Sequence, residues 1–262
     1  MREIRHVQIV RYITPLREGG SLPAIAEADD GFLYVIKFRG AGHGVKALVA
    51  EYIGSELARL LGFKVPELVW GTLDEAFGRS EGDEEIQDLL KNSQGLNIGL
   101  HYLSGAVNFD PIVFVPDKAL ASSVIWLDAM LNNIDRSFRN TNMLVWNKEV
   151  WLIDHGASLY FHHSWSDWKK AAESTFPYVK DHVLLPLLDA EEIRKFDQFA
   201  KSILSEEVLR DLVYAMPDTL LQYTDIDLNE NEIREVYISY FLHRLNRTDL
   251  FINEAIYAKE CL

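Results

Sequence analysis

The stretch Asn132-Asn133-Ile134-Asp135-Arg136-Ser137-Phe138-Arg139-Asn140-Thr141-Asn142, followed by Leu152-Ile153-Asp154-His155-Gly156, decides how this chain is read. The first segment sets an Asn five positions after an Asp, in a polar loop behind a long apolar run. The second sets an Asp before His-Gly. Between them lies a hairpin pattern: Met143-Leu144-Val145-Trp146, a turn at Asn147-Lys148, then Val150-Trp151-Leu152-Ile153. Such a hairpin has the length to bring Asp154 back beside the Asp135 loop.

Upstream, Asp117 is a suitable N-cap for a helix running through Leu131. Further upstream the chain reads as strands. His6 to Ile13 is rich in β-branched residues, and Pro15 with Gly19-Gly20 forces a turn. Phe32 to Phe38 is a second β-rich run with Lys37 near its end. The glycine-punctuated loop Gly40-Ala41-Gly42-His43-Gly44 follows. A helix from about Lys46 to Leu61 carries an apolar stripe of Val49, Ile53, Leu57 and Leu60/Leu61, and Gly62 stops it. Glu67 to Leu73 reads as extended, residues 74–94 as an acidic surface excursion with a short helix, and Leu96 to Leu103 as a strand. Beyond Asp189 the chain is mainly helical, with starts near Ser205 and Asn229. The expected fold class is α+β, with a β-rich part over 1–103 and a mainly helical part over 104–262.

Phosphoryl transfer from ATP needs residues of these types. A lysine neutralises phosphate oxygens, one Asp orients or deprotonates the acceptor hydroxyl, and an Asn with a second Asp offers hard oxygens to Mg²⁺. The Asp-to-Asn spacing of five is that of a protein-kinase catalytic loop. Each piece alone has a plain structural explanation; their order along one chain is what carries weight.

The Asn132–Asn142 and Leu152–Gly156 segments resemble those of the HipA-like kinases, and Asp135-Arg136 echoes the phosphoinositide-kinase loop. The helix segment Ala50 to Gly62, ending in Val65-Pro66, looks like the HipA-family helix after the lysine strand. The resemblance covers about residues 8 to 160. It implies a bilobal protein-kinase-like fold that binds ATP and Mg²⁺ and phosphorylates a protein Ser or Thr, with lobes over 1–103 and 104–262. It further implies Asp135 as catalytic base, and Asn140 and Asp154 as metal ligands in loops 132–142 and 153–156. Lys37 is expected on the α/β-phosphates, paired with Glu51. Glu56, which flanks the helix's apolar stripe, is the rival partner. Arg139 is expected near the γ-phosphate. Ser137 and His155 depart from the family pattern, which more often has His after Asp-Arg and Phe after the metal-loop Asp.

Two glycine loops compete for the phosphates. Gly19, Gly20 and Ser21 lie where a kinase glycine loop belongs, with backbone N–H groups to cradle phosphate. Gly40 to Lys46 is a flexible connection, or else a second phosphate-side loop. It is not a Walker A, because Val45 separates Gly44 from Lys46. By order alone, the backbone of His101, Tyr102 and Leu103 is expected to hold adenine. Asp128, seven residues before Asp135, reads equally as a brace for the loop or as a solvated charge. His162-His163, with Trp165 and Trp168, reads as packing beneath the metal loop, and Tyr237 to Leu242 as core.

Composition narrows the function classes. Across 262 residues, 40 acidic against 26 basic side chains leave a net charge of −14. That disfavours a nucleic-acid or membrane-surface binder, both of which need a basic footprint. One cysteine, Cys261, permits no internal disulfide. With no signal-like or membrane-spanning apolar run, the expected location is cytoplasmic. The expected partner is a protein substrate, with a separate regulatory chain as a second. The rival functions are a small-molecule or lipid kinase of the same fold, and a nucleotide-binding regulator without turnover.

Overall fold

The computed structural model describes residues 3–16, 22–42, 44–74, 83–163, 165 and 167–262. The amino-terminal strands are β1 (His6–Pro15), β2 (Ala24–Ala28), β3 (Leu33–Lys37), β4 (Leu68–Leu73) and β5 (Gly95–His101), and they close into a barrel in the order β1-β2-β3-β5-β4. Closure comes from a parallel pairing of β1 with β4, His6 opposite Trp70 and Gln8 opposite Thr72. The β2 strand lies between the two runs read from sequence, so the residue 17–21 connection leads into Ala24–Ala28 and not directly into the lysine strand. β2 is short and alanine-rich, which is why β-propensity does not reveal it.

Inside the barrel, Val7, Ile9, Ala24, Ala26, Tyr34, Ile36, Val69 and Leu73 form a core of their own, capped by Ile86 and Leu90 of helix α2 (Glu84–Asn92). Gly99 on β5 makes room for it: a Cβ there would lie 2.8 Å from Val69 Cγ2. Side chains alternate along a strand. With Tyr34 and Ile36 pointing inward, Leu33, Val35 and Lys37 of β3 must face out of the barrel.

Helix α1 (Gly44–Leu60) joins a second, larger core. Val49, Tyr52, Ile53 and Leu57 pack there with Ile98 and Leu100 of β5 and with the carboxyl-terminal helices. Tyr52 stacks on Trp70 and donates its hydroxyl to the Leu212 carbonyl at 2.8 Å. The centre of this core is α3 (Lys118–Leu131), where Val124 to Leu131 are all buried. A helix apolar on every side has to be enclosed. Its enclosure includes α5 (Ala190–Ile203), α7 (Glu230–Asn246) and α8 (Thr248–Glu260), with α4 (Trp168–Ala172) and α6 (Glu206–Tyr214) further out.

Helices α3, α5, α6 and α7 start where side-chain capping groups stand. Asp117 caps α3 by accepting from Leu120 N–H, Asp189 caps α5, Ser205 caps α6, and Asn229 with Glu232 forms a capping box on α7. A three-stranded antiparallel sheet, β6 (Val107–Asn108), β7 (Met143–Trp146) and β8 (Glu149–Leu152), carries the hairpin read from sequence. Its turn residues Asn147 and Lys148 both have positive φ, the backbone that a tight two-residue hairpin requires. No helix among the described residues is long and apolar enough to cross a membrane.

Trp126 is fully buried in the core; its indole N–H donates to Asp197 at 2.9 Å and its ring meets Phe196 and Phe251 edge-on. Replacing it with Ala is expected to cost about 3–5 kcal/mol of unfolding free energy, read as a lower urea midpoint.

Candidate active site

Lys37 closes β3 on the outward face of the barrel, and its ammonium is nearly buried. It donates to Glu51 Oε2 at 2.7 Å and to Asp154 Oδ1 at 2.5 Å. Glu51 is fully buried on α1. Glu56 stands about 140° further round the same helix and instead accepts from Arg59 Nε at 3.2 Å. Helical geometry therefore allows only one of the two to reach β3, and that one is Glu51. Burial by itself would lower the Lys37 pKa, but the Glu51 and Asp154 carboxylates outweigh it and raise it. Lys37 in turn holds Asp154 below the usual carboxylate range, against the opposing effect of burial. Asp154 has φ of 56°, a left-handed backbone uncommon outside glycine, kept in place by its surroundings.

The Asp135 loop begins where α3 ends, at Asn132 in left-handed conformation. Asp135 Oδ2 accepts from Asn140 Nδ2 at 2.8 Å and Asn142 Nδ2 at 3.2 Å, and Asn142 Nδ2 also reaches the Asp135 carbonyl at 2.6 Å. Ser137 Oγ accepts from the N–H groups of Arg139 and Asn140 at 3.3 and 3.4 Å, shaping the turn between them. The Ile153 N–H donates to the Asn142 carbonyl at 3.1 Å, which ties this loop to the Asp154 loop. Burial raises the Asp135 pKa and the Asp154 charge adds to it, while the two Asn amides oppose.

Beneath the loop sits Asp128, fully buried. Its Oδ1 accepts from Asn133 Nδ2 at 2.8 Å, and its Oδ2 from Arg136 Nε at 2.6 Å and His182 Nε2 at 2.9 Å. Arg136 Nη1 also donates to the Asn142 carbonyl. Of the two readings open for Asp128, the structure selects the brace. Burial would raise its pKa, but Arg136 and His182 hold it well below the carboxylate range.

Asn140 and Asp154 each carry a hard side-chain oxygen of the kind a divalent cation accepts. The Asn140 amide nitrogen is engaged by Asp135, so its oxygen is the end left to face a cation. Among the described residues no group of three or more His, Cys, Asp or Glu is arranged for a metal. Carboxylate and amide oxygens suit a hard cation, which takes oxygen ligands and keeps water in its shell. A cation would also relieve the mutual repulsion of Asp135 and Asp154.

The other expected residues fall as follows. Arg139 is exposed at the loop's outer turn. Gly19, Gly20 and Ser21 lie outside the described residues; their flanks are joined by Leu16 N–H to the Pro23 carbonyl at 2.7 Å. The second glycine loop is anchored at its start, with Arg39 N–H on Asn97 Oδ1 at 2.8 Å and Gly40 N–H on Ser93 Oγ at 3.1 Å. Its Lys46 pairs with Asp225 at 2.6 Å over the Tyr223 ring. The N–H groups of His101 and Tyr102, expected to serve adenine, are instead engaged by the Glu67 and Leu33 carbonyls, both at 2.8 Å. Strand pairing runs one residue past β5 and takes them. The Leu103 carbonyl accepts from Ala106 N–H at 3.1 Å. His162 is buried with Nδ1 2.8 Å from the Tyr237 hydroxyl, a packing role.

Sequence reasoning missed Asn142, Arg136 and His182 as parts of the site. Asn142 stands two residues past Asn140, inside the decisive stretch, and its position there was its only signal. His182 reaches the loop through one isolated bridge to Ser137, which no local pattern encodes.

Asp128→Ala is expected to cost about 3–5 kcal/mol, because it leaves the Arg136 charge buried without its partner. The Asp128 pKa is depressed in the folded state, so its stabilisation is present above about pH 4 and lost as pH falls below that. Acid titration of stability, compared between wild type and Asp128→Asn, reads this directly: the variant should show the shallower loss.

A family model described as HipA-like kinase matches residues 9–253, reaching well beyond the residues whose motifs carry the resemblance. No curated relative matches the sequence. Among solved structures, a Helicobacter pylori proinflammatory kinase, CtkA, is similar at a TM-score of 0.60 and 12% identity, covering 97% of this chain and 99% of that one. A Golgi casein kinase with Mn/ADP bound is more distant, at a TM-score of 0.42 and 13% identity over 94% of this chain and 73% of that one.

Proposed function

The chain belongs to the HipA-like kinase family, a kinase-type phosphotransferase on an α+β kinase-like fold, and we propose that it transfers the γ-phosphate of Mg²⁺-bound ATP to a Ser or Thr hydroxyl of a protein. The observation that carries this reading is the single ammonium of Lys37 joining Glu51 to Asp154, beside a loop in which Asn140 and Asn142 hold the Asp135 carboxylate.

Each residue then has a distinct task. Asp135, its pKa raised by burial and by Asp154, accepts the hydroxyl proton and aligns the acceptor. Lys37 holds the α/β-phosphates, and Glu51 keeps its ammonium from swinging away. Asn140 and Asp154 are the metal ligands, and Mg²⁺ bound there supplies charge neutralisation for the phosphates. Arg139, exposed beside Asn140, faces the γ-phosphate side. Gly19, Gly20 and Ser21 cover the phosphates, and the 101–103 segment borders the base through backbone atoms other than the two engaged N–H groups. Residues 1–103 and 104–262 act as two lobes with the nucleotide between them. Catalysis on this plan is positional and electrostatic.

Asp135→Asn and Asp154→Asn should each lower kcat by about 10²–10⁴-fold while far-UV circular dichroism stays that of wild type. Transfer of radiolabelled phosphate from ATP, followed in parallel on a protein pool and a small-molecule pool, identifies the acceptor class. Label in the small-molecule pool alone would overturn the protein acceptor, and full activity in both variants would overturn the mechanism.

A further inference from the structure

Glu51 uses only one of its oxygens on Lys37. The other, Oε1, lies 3.3 Å from the Ser55 hydroxyl, one turn further along α1. Ser55 Oγ is in turn 3.4 Å from His155 Nδ1. Glu51, Ser55 and His155 are all buried. One hydroxyl proton has to serve this chain. The carboxylate cannot donate, so Ser55 donates to Glu51 and His155 donates from Nδ1 to the Ser55 oxygen. That assignment puts the imidazole proton on Nδ1 and leaves Nε2 without a partner among the described residues.

The approach needs a bare helix surface. Gly54 supplies it: a Cβ there would overlap the Cβ of His155 and stand 2.8 Å from its Cγ. His155 follows Asp154 directly, and Asp154 returns to Lys37 at 2.5 Å. The contacts therefore close a ring: Lys37, Glu51, Ser55, His155, Asp154 and back to Lys37. It links β3, α1 and the 153–156 loop.

We propose that Ser55 and His155 are positioning residues, which clamp the 153–156 loop to α1 over the bare surface of Gly54 and so set Asp154 relative to Lys37 and Glu51. The kinetic consequence rests on the phosphotransferase reading above; the structural one does not. A ring that only filled space would serve as well as His155 if packing were the whole role. The Ser55 hydrogen bond sets the imidazole apart from such a ring.

The test combines amide exchange by NMR with kinetics, on the full chain. The Ser158 N–H, bonded to the His155 carbonyl at 3.0 Å, reports on the loop. The Trp70 N–H, bonded to the Arg5 carbonyl at 2.9 Å, reports on the barrel. Ser55→Ala adds no atoms, and His155→Phe keeps an aromatic ring without the nitrogen. Each should speed exchange at Ser158 and lower kcat by about tenfold, with Trp70 exchange unchanged and the KM for ATP within about threefold. His155→Asn, which keeps a nitrogen donor near the Nδ1 position, should recover most of the loss seen in His155→Phe. Gly54→Ala should give the same local loss, with Ser55→Ala deciding if it does not fold. Wild-type exchange at Ser158 in both Ser55→Ala and His155→Phe overturns the clamp, as does His155→Asn behaving no better than His155→Phe. If the wild type transfers no phosphate to any acceptor, the functional reading falls and the exchange comparison alone decides the clamp.

Discussion

An ammonium group removed from water has to find carboxylates, and Lys37 finds two from distant parts of the chain. Glu51 lies 14 residues away in sequence and Asp154 lies 117 away. Burying the lysine without them would carry a large desolvation penalty. The chain must therefore bring the end of β3, the middle of α1 and the loop after β8 to one point. Much of the architecture serves that meeting. The barrel directs Lys37 outward by alternation, and the larger core seats α1 through Tyr52 and Trp70. The β7–β8 hairpin returns Asp154 to the neighbourhood of Asp135.

A second buried charge does comparable work below the Asp135 loop. Asp128 gathers Asn133, Arg136 and His182, and Arg136 continues to the Asn142 carbonyl. That carbonyl also accepts from Ile153, one residue before Asp154. The two charge clusters are thus mechanically joined through a single backbone oxygen. A shift of either loop at that point would break a hydrogen bond to the shared carbonyl, a coupling that favours a preorganised site.

Sequence reading succeeded where the determinant is local. Asp117, Ser205 and Asn229 cap helices where the sequence places helix starts, because a cap is a bond between residues two or three apart. The Asn147-Lys148 turn and the spacing of Asp135 from Asn140 are local in the same sense. The reading was weaker where a local pattern had two uses. Lys46 reads as part of a flexible connection or of a phosphate-side loop, and is held by Asp225, from a segment 179 residues on. The His101 and Tyr102 amides looked available to a base and are engaged in strand pairing.

The amino-acid sequence by itself determined the α+β order of elements, the hairpin, and the residue types able to meet a phosphate and a divalent cation. Those follow from periodicity, capping and short spacings, which operate within a few residues. Only the tertiary structure decided that Glu51 and not Glu56 meets Lys37, that β1 closes on β4, and that Asp128, His182 and Asn142 support the Asp135 loop. These depend on which faces are buried together and on charges seeking partners across the fold. A buried charge takes whichever partner packing brings within reach, and sequence distance places no limit on that choice.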